Sequence, residues 1–312
     1  MSDGPLATSP AIFDRALIRS RRRRAARLGP VTFLLDRVAD EFADRLAAVM
    51  RHFDVAVDLG TPSDAVRSAL TRLGSVSTII RSDAAVDGAA PLAQKSVAAD
   101  EEALPFRDAS LDLVVSGLVL QFVNDLPGVL VQIRRALKPD GLFLAALLGG
   151  ETLTELRQSF AAAESEVEDG ASPRVAPFAD LRELGALLQR AGFALPVTDV
   201  DRVTVRYDTV FGLMGDLRRM GATNALVARR RTPLRRATLY RMADIYAQRF
   251  ADSDGRLRAT FEIVWLSAWA PHPDQQKPLK PGSAKARLAD ALHTQEISTG
   301  ERASISAPSR RS

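Results

Sequence analysis

The chain has 312 residues, 46% apolar and 26% charged, a balance ordinary for a globular protein with a sizeable core. It has no cysteine, which excludes disulfides, thiolate metal sites and cysteine nucleophiles, and its three histidines, His52, His272 and His293, show no metal-ligand spacing. The formal net charge is only +4, but arginines gather at Arg19, Arg21, Arg22, Arg23, Arg24 and Arg27, and again at Arg229, Arg230, Arg231, Arg235 and Arg236.

The plain reading of both runs is a solvated helix face. The functional one is peripheral contact with anionic lipid or an acidic protein face. No aromatics interleave with the arginines, so no nucleic-acid partner is expected. The longest wholly apolar run, Leu142 to Leu148, is too short to cross a bilayer, so no transmembrane segment is expected.

Residues 1–10 read as a disordered N-terminus, and 11–52 as a helical segment with Phe33, Leu34, Val38, Phe42 and Leu46 on three- and four-residue spacings. Strand-like and helix-like segments then alternate through 53–208. Strands are expected at 55–59, 76–80, 111–116 and 142–147, with a weaker one at 96–98. Helices are expected near 63–73, 125–137, 152–163 and 179–191. This order predicts an α/β fold built of βαβ units around a mainly parallel sheet.

Thr152 with Glu155 fits a capping box, Lys138-Pro139-Asp140-Gly141 a turn, and Gly192 a helix stop. Val203, Val205 and Tyr207 alternate with polar residues as a half-exposed strand does. Residues 209–258 read as a helical insertion or cap, 259–270 as the final core strand, and 271–312 as a flexible tail.

The segment Asp58-Leu59-Gly60-Thr61-Pro62-Ser63-Asp64 joins a strand to a helix, the place where an α/β fold offers backbone amides to a nucleotide-type ligand. Only Gly60 remains of the glycines such loops use, and Pro62 offers no N–H. Structurally, Thr61 could cap the helix, Pro62 suits its first position and Asp64 complements its dipole.

Several segments together carry a family resemblance: Ile12-Phe13-Asp14-Arg15, Asp58-Leu59-Gly60, Asp100-Glu101-Glu102-Ala103-Leu104-Pro105-Phe106, Leu120 to Leu126, Leu137 to Gly141, Gly149 to Leu153, and Asp216 to Asn224. The chain resembles class I S-adenosylmethionine-dependent methyltransferases. Within them it is similar to the branch of methyltransferase-like complex I assembly factors and malonyl carrier-protein methyltransferases. The resemblance implies a Rossmann-like class I methyltransferase sheet with helices on both faces and a helical insertion before the last strand.

It also implies S-adenosylmethionine as cofactor, with Asp58 and Gly60 at the methionine end and Asp100 and Glu101 at the adenine. Thr61, Pro62, Ser63 and Asp64 depart from the family's loop. Asp83 is the candidate for the ribose hydroxyls, or else a plain loop aspartate. Ser116, Gln121 and Phe122 lie just past the fourth core strand, where open sheets bind ligands, and Phe122 reads equally as core. Trp265 and Trp269 read as packing residues on one strand face.

Tyr207, Tyr240, Glu151 and Asp216 are candidates for a substrate pocket, and no residue stands out as a catalytic base. The implied function is modification or chaperoning of a protein client, a complex I subunit, in a bacterial cytoplasm or a mitochondrial matrix. The alternatives are a non-catalytic assembly scaffold with a degraded cofactor loop, or a malonyl carrier-protein O-methyltransferase.

Overall fold

Asp14 opens the first helix by accepting the Leu17 N–H at 3.0 Å, and α1 runs Arg15–Arg27. Gly29, at φ +79°, and Pro30 end it, so the helical N-terminal segment divides in two. The second helix, α2 (Phe33–Val49), buries Leu34, Leu35, Val38, Ala39, Phe42 and Leu46 as one stripe. The computed structural model describes residues 11–84, 95–168, 170–178, 180–275, 288–291 and 293–294. The expectations for residues 1–10 and for most of the tail lie outside these.

Next come β1 (Phe53–Leu59), α3 (Ala65–Leu73), β2 (Val76–Asp83), β3 (Ser96–Ala98) and β4 (Leu111–Gly117). A 3-10 turn over Leu120–Phe122 leads to α4 (Leu126–Ala136), capped by Asp125 on the Gly128 N–H, and then to β5 (Leu137–Leu148). The helices α5 (Thr154–Val167) and α6 (Leu181–Arg190) precede β6 (Ala194–Tyr207). Two helices, α7 (Val210–Arg219) and α8 (Arg236–Phe250), stand between β6 and the last strand, β7 (Leu257–Trp269). A separate unit from Pro273 onward contributes one short helix, Leu288–Ala291.

The seven strands form one sheet in the order β3-β2-β1-β4-β5-β7-β6, parallel except that β7 runs antiparallel to both β5 and β6. Alternating residues feed two cores. Val57, Leu59, Val114 and Phe143 meet Leu130, Ile133, Leu184 and Leu188 of α4 and α6. Ala56, Leu113, Val115 and Leu144 meet Val38, Phe42 and Leu70 of α2 and α3. Each such fully buried Leu, Ile, Val or Phe contributes about 1.5–3 kcal/mol, so the two apolar faces fix the strand register. The order reverses between β1 and β4, which makes the carboxyl ends of those strands the topological switch point.

Four local expectations change. Helix α3 begins at Ala65, and Thr61 spends its hydroxyl on the Gly117 N–H at 3.1 Å instead of capping. Thr152 and Glu155 do not form a capping box. Thr152 bonds the backbone of Glu262, and the Glu155 carboxylate takes the N–H and hydroxyl of Thr260, so both anchor α5 to β7. Lys138 to Gly141 is a bulge within β5, with Asp140 at φ +62°, and not a separate turn. The strand expected around Val203 to Tyr207 extends back to Ala194. Trp265 and Trp269 are packing residues, with Arg45 and Arg51 lying over their rings.

Candidate functional site

At the end of β1 the chain turns through Gly60, at φ +72°, whose N–H donates to the Ser82 carbonyl at 2.6 Å. A Cβ there would stand 2.9 Å from Cγ and Oε1 of Glu101 and from Cγ1 of Val119. Backbone conformation and crowding both require glycine. Ser116, fully buried at the end of β4, donates to the Leu59 carbonyl at 2.9 Å and ties the two switch-point strands together.

Asp58 is 0% exposed and accepts from Arg67 of α3 at 2.7 Å. Burial pushes its carboxyl up to about 6, with Thr61 and the Arg67 charge working against the rise. Arg67 also pairs with Asp64, so the carboxylate that would repel an anionic ligand in this loop is neutralised from within. Pro62 is exposed in front of α3 and presents no donor.

The remaining candidate carboxylates gather at the ends of β2 and β3. Asp83 closes β2, is buried, and accepts from Arg81 at 2.8 Å. Past β3, Asp100 takes Arg15 on one oxygen at 2.6 Å and Arg19 on the other at 2.9 Å. Glu101, 2% exposed, takes Arg15 on Oε2 and Arg22 on Oε1, the latter at 3.2 Å. Burial works to raise the Asp100 carboxyl, but the Glu102 N–H and the Arg15 and Arg19 charges outweigh it and hold it below its ordinary value. For Arg22 burial prevails over the Glu101 and Asp83 charges and lowers its proton affinity.

Neighbouring contacts lock this cluster. Asn124 accepts the N–H groups of Ile12 and Phe13, each at 2.8 Å, and Glu102 accepts the Asn124 N–H. Arg15 also donates to the Phe122 carbonyl at 3.3 Å. Three segments more than a hundred residues apart at their extremes, around Phe13, Asp100 and Phe122, thus form one unit. Leu104 and Phe106 pack on the core beside it. Helix α1 reaches the cluster because Gly221, at φ +71°, lets its backbone in: a Cβ there would lie 3.2 Å from the Arg22 Cα.

The half-buried Phe122 ring meets Phe13 and Phe178 edge-on, at 5.7 and 6.4 Å between centroids, and stands between two cavities. One, of about 220 Å³, lies under α7 and is lined by Phe160, Arg174, Phe178, Met214 and Asn224 among others. The other, of about 80 Å³, is bounded by Arg22, Pro62, Gln121, Thr152, Phe178 and Phe261.

Of the four residues expected in a substrate pocket, none lines either cavity. Tyr207 donates to Asp216 at 3.2 Å, Tyr240 is 61% exposed, and Glu151 is on the surface. In the larger cavity the polar lining includes Arg174, held by Glu164 at 2.7 Å, with Thr223 and Asn224. They sit on irregular segments with no periodicity to mark them, although Thr223 and Asn224 belong to the family-marker segment. Among the described residues no group of three or more acidic or histidine side chains is placed to hold a metal ion, and no helix is long and apolar enough to cross a membrane.

A family model described as a methyltransferase domain matches residues 57–145. The chain is 39% identical over 295 residues to the protein named arginine-hydroxylase NDUFAF5, mitochondrial, of Homo sapiens, covering 91% of this chain and 85% of that one. The protein of the same name from Danio rerio is 37% identical, with 89% of each chain covered. A malonyl-[acyl-carrier protein] O-methyltransferase of Laribacter hongkongensis is 42% identical over 186 residues, 60% of each chain. A crystal structure of a candidate methyltransferase from Bacillus halodurans C-125 superposes with a TM-score of 0.51 at 16% identity, over 74% of this chain and 98% of that one, which speaks to the fold alone. By an alignment over nearly its full length and by strand order, the chain belongs to the family of the proteins named NDUFAF5, within the class I S-adenosylmethionine-dependent methyltransferases.

Proposed function

We propose that the chain binds S-adenosylmethionine at the β1–β4 switch point and modifies an arginine side chain of a protein client, a subunit of respiratory complex I during assembly. The 39% identity over 91% of the chain to a protein named for arginine hydroxylation carries this reading. The setting is the cytoplasm of a bacterium or the mitochondrial matrix of a eukaryote.

Acceptors at the sheet edge, held in place by Arg15, Arg19 and Arg81, support binding of the adenosine half of the cofactor. Asp83 at the end of β2 offers acceptors for two ribose hydroxyls, and Asp100 offers one for the exocyclic amine, with Leu104 and Phe106 as apolar neighbours. The backbone of Glu101 is the proposed partner of a ring nitrogen. Asp58, Gly60 and Ser116 shape the turn at the methionine end, and Phe122 forms the wall toward the two cavities. Bound there, the group would supply an activated methyl on a sulfonium, and the residues named here would bind and orient it.

Calorimetry with S-adenosylmethionine is expected to show binding, and Asp100→Ala to weaken it about tenfold or more, because an ionised acceptor contributes about 1.5–3 kcal/mol. Unchanged affinity in a folded variant would remove Asp100 from the site. The decisive test of the reaction is disruption of the gene in its source organism, followed by peptide mass spectrometry of complex I subunits. An arginine that loses one oxygen atom in the mutant supports hydroxylation, and one that loses a methylene equivalent supports methyl transfer. No altered arginine would sink the reading. The second reading, methyl esterification of a malonyl carrier protein, rests on the 42% identity over 60% of the chain and would be favoured by ester formation on that substrate.

A further inference from the structure

We propose that the Glu101 carboxylate is the group that receives the client arginine's guanidinium, and that Arg22 stands in for that guanidinium in the closed form described here. The inference deepens the arginine-directed reading above and rests on it.

Glu101 is buried beside Gly60 at the ligand edge of the sheet, with a guanidinium on each carboxylate oxygen. A buried carboxylate needs a counter-charge, and Arg15 already supplies one while bridging to Asp100. Arg22 is therefore surplus to the charge balance of Glu101. Its 3.2 Å contact is the longest arginine–carboxylate bond in the cluster, against 2.6 and 2.9 Å for those to Asp100. Burial also lowers its proton affinity, and the neighbouring Arg15 charge works the same way.

Arg22 borders open space at the ligand edge of the sheet. It lines the cavity of about 80 Å³ together with Pro62, Gln121, Thr152 and the apolar Leu118 and Phe178. An incoming arginine side chain would take that space together with the space left by withdrawal of Arg22. The apolar walls would then cover the methylene stem of the incoming residue, while its planar head meets Glu101. The Glu101 backbone can serve the adenine at the same time, because side chain and main chain address different ligands.

The test is calorimetry of Nα-acetyl-arginine amide with the full chain, using the citrulline analogue as an uncharged control. Arg22→Ala and Arg22→Gln should each bind the arginine compound at least about tenfold more tightly than the unaltered chain, and neither should bind the citrulline compound. The gain should vanish in Arg22→Ala combined with Glu101→Gln. No gain in either folded variant, or a gain that survives Glu101→Gln, overturns the inference. In the unaltered chain, the Arg22 Nε–H resonance should shift on titration with the arginine compound, and its constancy at saturation is equally fatal. If the compound binds as expected but no client arginine is altered in the cell, the enzymatic reading fails alone. If client arginines are altered and the Glu101 variants bind like their parents, the guanidinium site fails alone.

Discussion

Replacing Arg67 with alanine is expected to lower the unfolding free energy by about 3–5 kcal/mol at neutral pH, read from urea denaturation. Arg67 meets a carboxylate, Asp58, that is 0% exposed, and it also holds Asp64. Removing it leaves a charge inside the sheet with no ion-pair partner, and water cannot take over because neither side chain is accessible. Asp58 already shows how narrow the balance is. Its folded value of about 6 lies above the ordinary 3.8, so between those values the folded state holds more protons than the unfolded one. Stability linked to this group is therefore full below the ordinary value and lost as pH rises through about 6, an effect of about 3 kcal/mol. Without Arg67 the Asp58 value should rise further and the loss move to higher pH, which the Asp58 carboxyl carbon resonance reports. A loss under about 1 kcal/mol with an unmoved titration would show that water reaches Asp58 and that the pair is not the lock on the first loop.

The sheet was legible because its strands are apolar runs bounded by turn residues, and such runs have few other ways to be buried. The capping box at Thr152 and Glu155 was misread because the motif is local. The same atoms found stronger partners on β7, more than a hundred residues away. For the same reason the solvated-face reading of the α1 arginine run, one of the two open to it, holds only in part. Spacing along one helix says nothing about the carboxylates at Asp100 and Glu101 that turn Arg15, Arg19 and Arg22 inward, while Arg23, Arg24 and Arg27 stay exposed. The second run divides likewise: Arg229 pairs with Asp14 and Arg230 with Glu168, and Arg231, Arg235 and Arg236 are exposed. Family markers scattered along the sequence became one cluster only through tertiary contacts, and Arg174 had no motif at all.

Gly60→Ala is expected to destabilise by about 3 kcal/mol, and the matched change Gly74→Ala by only about 1–2 kcal/mol. Both glycines sit at φ +72°, so an alanine bears the same left-handed penalty at each. Nothing lies within 4 Å of a Cβ at Gly74, whereas at Gly60 it would meet Glu101 and Val119 at 2.9 Å. Glu101 cannot simply swing aside, because Arg15 and Arg22 hold both of its oxygens. The difference between the two variants thus reports the joint pressure of Glu101 and Val119 on the first loop. Combining Gly60→Ala with Glu101→Ala should recover part of that difference, since neighbours that share one space do not act additively. Equal losses at the two glycines would mean that Glu101 does not rest against Gly60 in solution. The carboxylate would then be free to meet a guanidinium without displacing Arg22, and the closed cleft would not be the form that binding must open.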